Sequence, residues 1–291
     1  MTKEPREQLE LFHAIPGKFA ARDAQDLMAY PFFSLSKGRR TSPIAYETKA
    51  VAIRVEGVPE HGIATIWDAD ILIFAASQVV EARDRARRGI GCGPSRLLAV
   101  RPHEILRFVG RGASSRDYVR LRAALDRLQA TTVSTTIRAP NRAHRHRFSW
   151  INEWKEATDS SGGVAGMELV LPDWFYQGVL DNRLVLTIDP AYFRLTGGLE
   201  RWLYRLARKH GGRQPDGWSF DLKYLHVKSG SLMGFRRFRY EIRALAARNA
   251  LPGYELEMAL EITGRDVREV LDLRPRVARQ SKGVGGPACL S

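Results

Sequence analysis

The chain is poor in cysteine and in negative charge. Two cysteines, Cys92 and Cys289, stand far apart among 291 residues. They exclude a disulfide framework and a cysteine zinc cluster, and they suit a reducing cytosol. Long hydrophobic runs are missing too. The most apolar stretch, Ile71 to Val80, contains Ser77 and Gln78 and is too short to cross a bilayer. Glu7, Glu10 and His13 break up the first apolar residues, so no secretory leader is expected. His-Glu-x-x-His and Gly-x-Ser-x-Gly, the signatures of a zinc hydrolase and a nucleophile elbow, do not occur. Gly89, Gly91 and Gly93 make a glycine-rich loop, but Pro94 follows and no Lys-Ser/Thr does, which argues against a phosphate-binding loop. The expectation is a soluble, cytoplasmic protein that is not an enzyme and uses neither cofactor nor metal.

Arginine is what the chain has in excess, and it is unevenly placed. From Arg101 to Arg147 there are 11 arginines against three carboxylates, Glu104, Asp117 and Asp126. From Arg201 to Arg248 there are 12 lysines and arginines against Asp216, Asp221 and Glu241. These stretches carry +8 and +9, more than the formal +14 of the chain, so the remainder is slightly acidic. Charge concentrated in this way creates a local potential that a polyanion such as DNA can use. Apolar content of 44% and aromatic content of 9% argue for a folded protein, long enough for two domains.

Each basic stretch has the pattern of a helix-turn-helix followed by a β-hairpin. Tyr46 to Val58 alternates as a strand, and Asp68 stands where a helix with Ile71, Leu72, Phe74 and Ala75 would be capped. In the first stretch, Pro102 opens a helix that Gly110 and Gly112 end. Ser114 or Ser115 caps a second, with Tyr118, Leu121, Leu125 and Leu128 as its apolar stripe. Thr131 to Ile137 is a strand, Arg138 to His146 a polar loop, and Arg147 to Trp154 the return. In the second stretch, a strand at Leu184 to Ile188 leads to a helix over Leu199 to Lys209. A short helix, Phe220 to Val227, precedes one whose stripe is Phe235, Phe238, Ile242 and Leu245. Asn249 to Gly253 stops it, and Tyr254 to Ile262 alternates as a strand. Both stripes step 3, 4, 3, one face of a helix.

The fold class expected is α+β, with two tandem winged-helix domains. A flexible arm covers residues 1–25, the first domain 26–157, a linker 158–166 (Thr-Asp-Ser-Ser-Gly-Gly-Val-Ala-Gly), the second domain 167–273, and a disordered basic tail 274–291. Two unrelated helical domains are the plainer alternative.

At about 100° per residue, Arg116, Arg120 and Arg127 lie roughly opposite Tyr118. On the second helix Arg236, Tyr240 and Arg243 lie opposite Phe238, with Arg237 and Arg239 on its flanks. A planar guanidinium can pair bidentately with guanine or with phosphate. Arg142, Arg145 and Arg147 place further charge on the first wing, and the second wing, after Tyr254, would reach along the backbone or into the minor groove. Arg201, Arg205 and Arg208, at i, i+4 and i+7, fit phosphate positioning. An ordinary solvated face is the competing account of such runs.

Several segments resemble the replication initiator protein A family of bacterial plasmids. They are Tyr30-Pro31-Phe32-Phe33-Ser34-Leu35-Ser36-Lys37, Ile66-Trp67-Asp68-Ala69-Asp70-Ile71-Leu72-Ile73 and Leu195-Thr196-Gly197-Gly198-Leu199-Glu200-Arg201-Trp202-Leu203-Tyr204. Lys209-His210, Lys228-Ser229-Gly230-Ser231 and Leu251-Pro252-Gly253-Tyr254 fit the same pattern. The likeness runs from about residue 25 to 262. It implies paired winged helices that bind repeated duplex sites at a plasmid origin, melt or remodel it, and recruit the host replisome, including the host initiator and replicative helicase. Related initiators also repress their own promoters, often as dimers.

Two smaller features compete with or extend this reading. Gln8-Leu9-Glu10-Leu11-Phe12 resembles the pentapeptide that docks bacterial proteins on the replicative sliding clamp; Leu11 and Phe12 would fill an apolar cleft and Gln8 its rim. A chance match or a fragment of local packing is the alternative. His144-Arg145-His146 invites comparison with the histidine pair of rolling-circle nickases, but Arg142, Arg145 and Arg147 would repel a divalent metal. Asp68 and Asp70 could mimic the metal pair of a primase, though they stand at a helix start, where carboxylates interact favourably with the helix dipole.

Overall fold

The computed structural model describes residues 9–141, 143–158, 164–211, 214, 217–263 and 266–276. It begins with strands β1 (Leu11–His13) and β2 (Arg22–Ala24), helix α1 (Gln25–Ala29), strands β3 (Ile44–Glu47) and β4 (Ala52–Gly57), and helix α2 (Ala69–Arg87). Strand β5 (Leu97–Val100), helices α3 (Pro102–Phe108) and α4 (Ser115–Ala130), and strands β6 (Thr131–Thr135) and β7 (His146–Ser149) make the first motif. Strands β8 (Glu153–Thr158) and β9 (Val164–Val170), helix α5 (Asp173–Leu180) and strand β10 (Val185–Thr187) follow. The second motif comprises α6 (Gly198–Gly211), β11 (Trp218–Asp221), α7 (Leu222–Ser229), α8 (Phe235–Arg248), β12 (Tyr254–Thr263) and β13 (Asp266–Pro275).

The centre is α2. Every residue from Asp68 to Val80 is buried, and a helix apolar on all sides belongs inside a protein. It packs on β2, α3 and α5. Around it lie a sheet in the order β3-β4-β6-β7, a second in the order β1-β5-β9-β8, the pair β10-β2, and a sheet in the order β11-β13-β12. Both halves of the chain share one apolar core, from Phe12 and Leu27 through Trp150 and Phe175 to Phe238 and Leu273.

Four sequence expectations give way here. Residues 9–25 are not a free arm: β1 pairs in parallel with β5, β2 pairs with β10, and Phe12, Ala21 and Asp23 are buried. The presumed linker is a hairpin, since β8 reaches Thr158, β9 starts at Val164, and both belong to the sheet of β5; residues 159–163 lie outside the described residues. The single strand expected at 46–58 is the hairpin β3-β4, closed where Thr48 N–H donates to Val51 O at 2.8 Å. Residues 274–276, expected to open the tail, are ordered: β13 runs to Pro275 and Arg276 Nε donates to Tyr254 O at 2.9 Å; residues 277–291 lie outside the described residues.

Candidate nucleic-acid interface

The first motif forms as its capping residues dictate. Pro102 opens α3, where its missing N–H costs nothing. Ser114 and Asp117 make a reciprocal capping box at the start of α4. Leu121, Leu125 and Leu128 are buried, with Tyr118 packed beside them. Strand β6 follows α4 directly and pairs with β7. In the second motif, Asp221 caps α7 by accepting from Tyr224 N–H at 2.8 Å. Gly230, at φ 61°, then turns the chain toward α8; a Cβ there would also lie 2.9 Å from Pro31 Cβ. Phe238, Ile242 and Leu245 bury the inner face of α8.

The outer faces carry the charge. Arg116 and Arg120 are exposed on α4, as are Arg145, just before β7, and Arg147, within it. Arg236, Arg237, Tyr240 and Arg243 are exposed on α8. Among the described residues, Arg116, Arg145, Arg147 and Arg236 have no carboxylate partner. The others are paired at the surface: Arg120 with Asp117 at 3.8 Å, Arg237 with Glu241 at 2.8 Å, and Arg243 and Arg239 with Glu269 of β13 at 2.6 and 3.9 Å. Exposed pairs of this kind contribute about 0–1 kcal/mol, so a phosphate can displace the carboxylate at little cost. Arg142 lies outside the described residues. His144 is exposed, its Nδ1 2.6 Å from Asn141 Oδ1 on the same loop. Among the described residues no group of three or more His, Cys, Asp or Glu is arranged to hold a metal ion.

Four arginines expected at this surface are engaged elsewhere. Arg127 donates from Nε and Nη2 to the two carboxylate oxygens of Asp68 at 2.8 and 2.7 Å. Asp68 also accepts from Thr65 N–H at 2.7 Å; it stands at the N-cap position of α2, as expected, but its side chain makes no cap hydrogen bond there. Arg201 is buried and donates to Asp70 at 2.8 Å and to the carbonyls of Leu195 and Phe193 at 2.8 and 3.1 Å. Arg205, also buried, donates from Nε and Nη2 to Asp23 at 2.8 and 3.2 Å. Arg208 is half-buried, its Nε donating to Thr187 O at 2.7 Å. Burial pushes both carboxyls upward, Asp70 to about 6, against the pull of the neighbouring guanidinium groups. Arg201 and Arg205 of the α6 stripe are thus an internal ion-pair seam, and Arg208 is tied to a backbone carbonyl beside it.

That seam joins the two halves of the chain. Asp23 and Asp70 belong to the first half, Arg201 and Arg205 to the second. Arg40 adds to it by donating to Gly230 O at 2.5 Å, and buried Lys228 lies over the rings of Tyr30, Tyr46 and Tyr224. The three longest segments quoted for the family likeness converge at this place. Ile66 N–H donates to Ser34 O at 2.9 Å, and a Cβ on Gly198 would lie 2.0 Å from Leu35 O and 3.0 Å from Trp67.

The model of the replication initiator protein A family matches residues 22–256. The chain belongs to that family. A protein of Wigglesworthia glossinidia brevipalpis named for a role in replication is 31% identical over 236 residues, 80% of this chain and 83% of that one. Among solved structures, domains 2 and 3 of RctB are similar, with a TM-score of 0.62 at 16% identity, covering 87% of this chain and 99% of that one. A second structure of RctB domains 2–3 gives 0.55, again at 16% identity, over 86% and 97% of the two chains. Membership of the family places the protein in replication initiation, and the mixed α/β fold is shared with RctB. No helix among the described residues is long and apolar enough to cross a membrane.

The pentapeptide at residues 8–12 is not presented for docking. Gln8 lies outside the described residues and Leu9 is half-buried. Leu11 is exposed, whereas Phe12 packs into the core. Neighbouring residues of a strand face opposite sides, so β1 cannot offer Leu11 and Phe12 to one cleft while it stays paired.

Proposed function

We propose that the protein binds duplex DNA at repeated sites in a replication origin through two winged-helix motifs, and initiates replication by positioning rather than by catalysis. α4 and α8 are the recognition helices, and the hairpins β6-β7 and β12-β13 are the wings. Arg116, Arg120, Arg145 and Arg147 hold one segment of duplex, and Arg236, Arg237, Arg239, Tyr240 and Arg243 the next. The observation that carries this reading is the recurrence of one arrangement. In each half a short helix, a turn and an arginine-faced second helix precede a hairpin, and the second helix carries an arginine without a carboxylate partner. A major groove about 12 Å wide admits such a helix.

Footprinting on the DNA that flanks the encoding gene tests it. Protected direct repeats support an origin binder. A lone inverted repeat supports the second reading, a repressor that uses the same surface. If five phosphates are neutralised, log affinity falls with log salt at a slope of about −4.5. Nicking of the supercoiled origin plasmid in Mg²⁺ or Mn²⁺ would refute the non-catalytic part. Recruitment of the sliding clamp through Leu11 and Phe12 belongs to this reading only as a second state in which β1 has left β5. Clamp pull-down that survives Leu11→Ala with Phe12→Ala removes it.

A further inference from the structure

The two hairpins beside the candidate recognition helices differ in charge. Residues 131–149, from β6 to the end of β7, carry four arginines and no carboxylate, whereas Tyr254 to Pro275 carries six carboxylates against three arginines. The second hairpin is therefore a poor grip for a polyanion. The cleft of about 490 Å³ between it, α7 and α8 has both signs on its walls, Asp221 and Glu269 as well as Lys223, Arg239 and Arg268. One of these carboxylates is tied to the arginine face of α8. Glu269 accepts from Arg243 Nε at 2.6 Å, and its other oxygen lies 3.9 Å from Arg239 Nε. Glu269 is the fixed partner. Its side chain is 17% exposed against 54% for Arg243, and its strand β13 is paired on both sides, with β11 and β12.

The way Arg243 is held leaves its far end open. Glu269 hydrogen-bonds Nε alone, and among the described residues Nη1 and Nη2 of Arg243 have no hydrogen-bond partner. Those two nitrogens end the planar guanidinium, and their parallel N–H groups match guanine O6 and N7 in the major groove. The neighbouring arginines are held differently. Arg237 is gripped by Glu241 of its own helix through both Nε and Nη2, at 2.9 and 2.8 Å, and Arg236 has no carboxylate partner among the described residues. A carboxylate at Nε also changes what the open end attracts. A phosphate must displace Glu269 or bear its repulsion, whereas the uncharged edge of a base leaves the pair intact. Tethering at Nε further reduces the side-chain freedom that is lost on binding.

Resting on the DNA-binding reading above, we infer that Glu269 is the positioning residue that makes Arg243 a reader of guanine. It fixes the guanidinium through Nε, presents Nη1 and Nη2 to O6 and N7 of one base, and sets a cost on phosphate at the same group. Phosphate contacts then fall chiefly to the arginines without a carboxylate partner, Arg116, Arg145 and Arg147 of the first motif and Arg236 of α8. Affinity and sequence preference are thereby carried by different side chains.

The full-length protein is titrated onto the footprinted repeat with each guanine replaced in turn by 7-deazaguanine, which lacks the N7 acceptor. At one guanine the replacement should weaken wild-type binding about tenfold. Glu269→Ala should lose that difference, bind a scrambled duplex more tightly than wild type, and steepen the salt slope by up to about 0.9 as Arg243 turns to phosphate. Glu269→Gln, whose amide oxygen still accepts from Nε, should keep most of the difference. Arg243→Ala should lose it, and Arg243→Ala with Glu269→Ala should lose no more than either alone. A tenfold difference that survives Glu269→Ala overturns the inference. So does a Glu269→Ala variant that weakens every duplex alike with a lowered melting temperature, the mark of a merely structural residue. Wild type that binds the repeat yet is indifferent to every 7-deazaguanine overturns it and leaves the DNA-binding reading standing. Wild type that binds no duplex removes both.

Discussion

Replacing Arg201 with methionine separates the two roles this residue could have. Its side chain is 3% exposed and that of Asp70 is 2% exposed, with Nη1 and Oδ1 2.8 Å apart. Methionine fills most of the volume but leaves Asp70 with Arg111 alone, at 3.5 Å and nearer the surface. The carbonyls of Leu195 and Phe193 lose their donor as well. Breaking a buried pair from one side costs about 3–5 kcal/mol, most of it the penalty of the stranded charge. With a urea dependence of about 3 kcal/mol per molar, the unfolding midpoint should drop by more than about 1 M. Replacing both partners, Arg201→Met with Asp70→Leu, should recover most of that loss, because no charge is then left unpaired. Below the transition, the single variant should bind DNA with the wild-type salt slope. The opposite pattern, an unchanged midpoint with a slope shallower by about 0.9, would return Arg201 to the phosphate contacts and refute the seam.

Further tests follow from single contacts. Arg236→Ala should flatten the salt slope by about 0.9 without changing the urea midpoint; an equal loss for every sequence marks a phosphate contact, and loss at one base pair a base contact. Phe12→Ala should cost about 3 kcal/mol in urea unfolding and Leu11→Ser less than about 0.5 kcal/mol, so equal effects would contradict the placement of β1. Burial beside Trp218 and Phe220 lowers His210 to about 4. A depressed folded value means stability is present above pH 6.5 and lost as pH falls from there toward 4, and His210→Phe should abolish that dependence in melts. Gly198→Ala should lower the melting temperature, at a cost of about 3 kcal/mol, by forcing α6 away from Leu35.

The helices of both motifs were legible because their signals are local. Ser114, Pro102 and the 3, 4, 3 stripes need only neighbours within a turn or two. The exposed arginines of α4 and α8 follow from those stripes. The arm was misread because what orders it is distant: Phe12 sits on β5, some 85 residues on, and Asp23 is fixed by Arg205. The Ser-Gly stretch near residue 160 has the composition of a linker, but a glycine-containing turn between two strands has it too. Arg201 and Arg205 were not legible: with Arg208 and Lys209 they make one basic face of an amphipathic α6, the pattern of a solvated helix, yet the structure buries them against carboxylate partners. Those partners, Asp23 and Asp70, lie 182 and 131 residues away and leave no local trace.

The seam also bears on how the two motifs would read DNA. A flexible linker would let each motif find its own groove, so affinity would vary slowly with the distance between subsites. Here Asp23–Arg205, Asp70–Arg201 and a continuous core hold α4 and α8 in one arrangement. Separation and phase along the duplex are then fixed together. Inserting five base pairs between the two halves of a footprinted repeat rotates the second half by about 180°, and affinity should fall to that of one motif. Ten base pairs restore the phase but add roughly 34 Å, which no linker absorbs, so affinity should stay low. Recovery at ten would mean that the halves separate on DNA. In that case Arg201→Met, by loosening the seam, should improve binding to the lengthened site, and failure of both effects would leave the fixed arrangement as the form that reads the repeat.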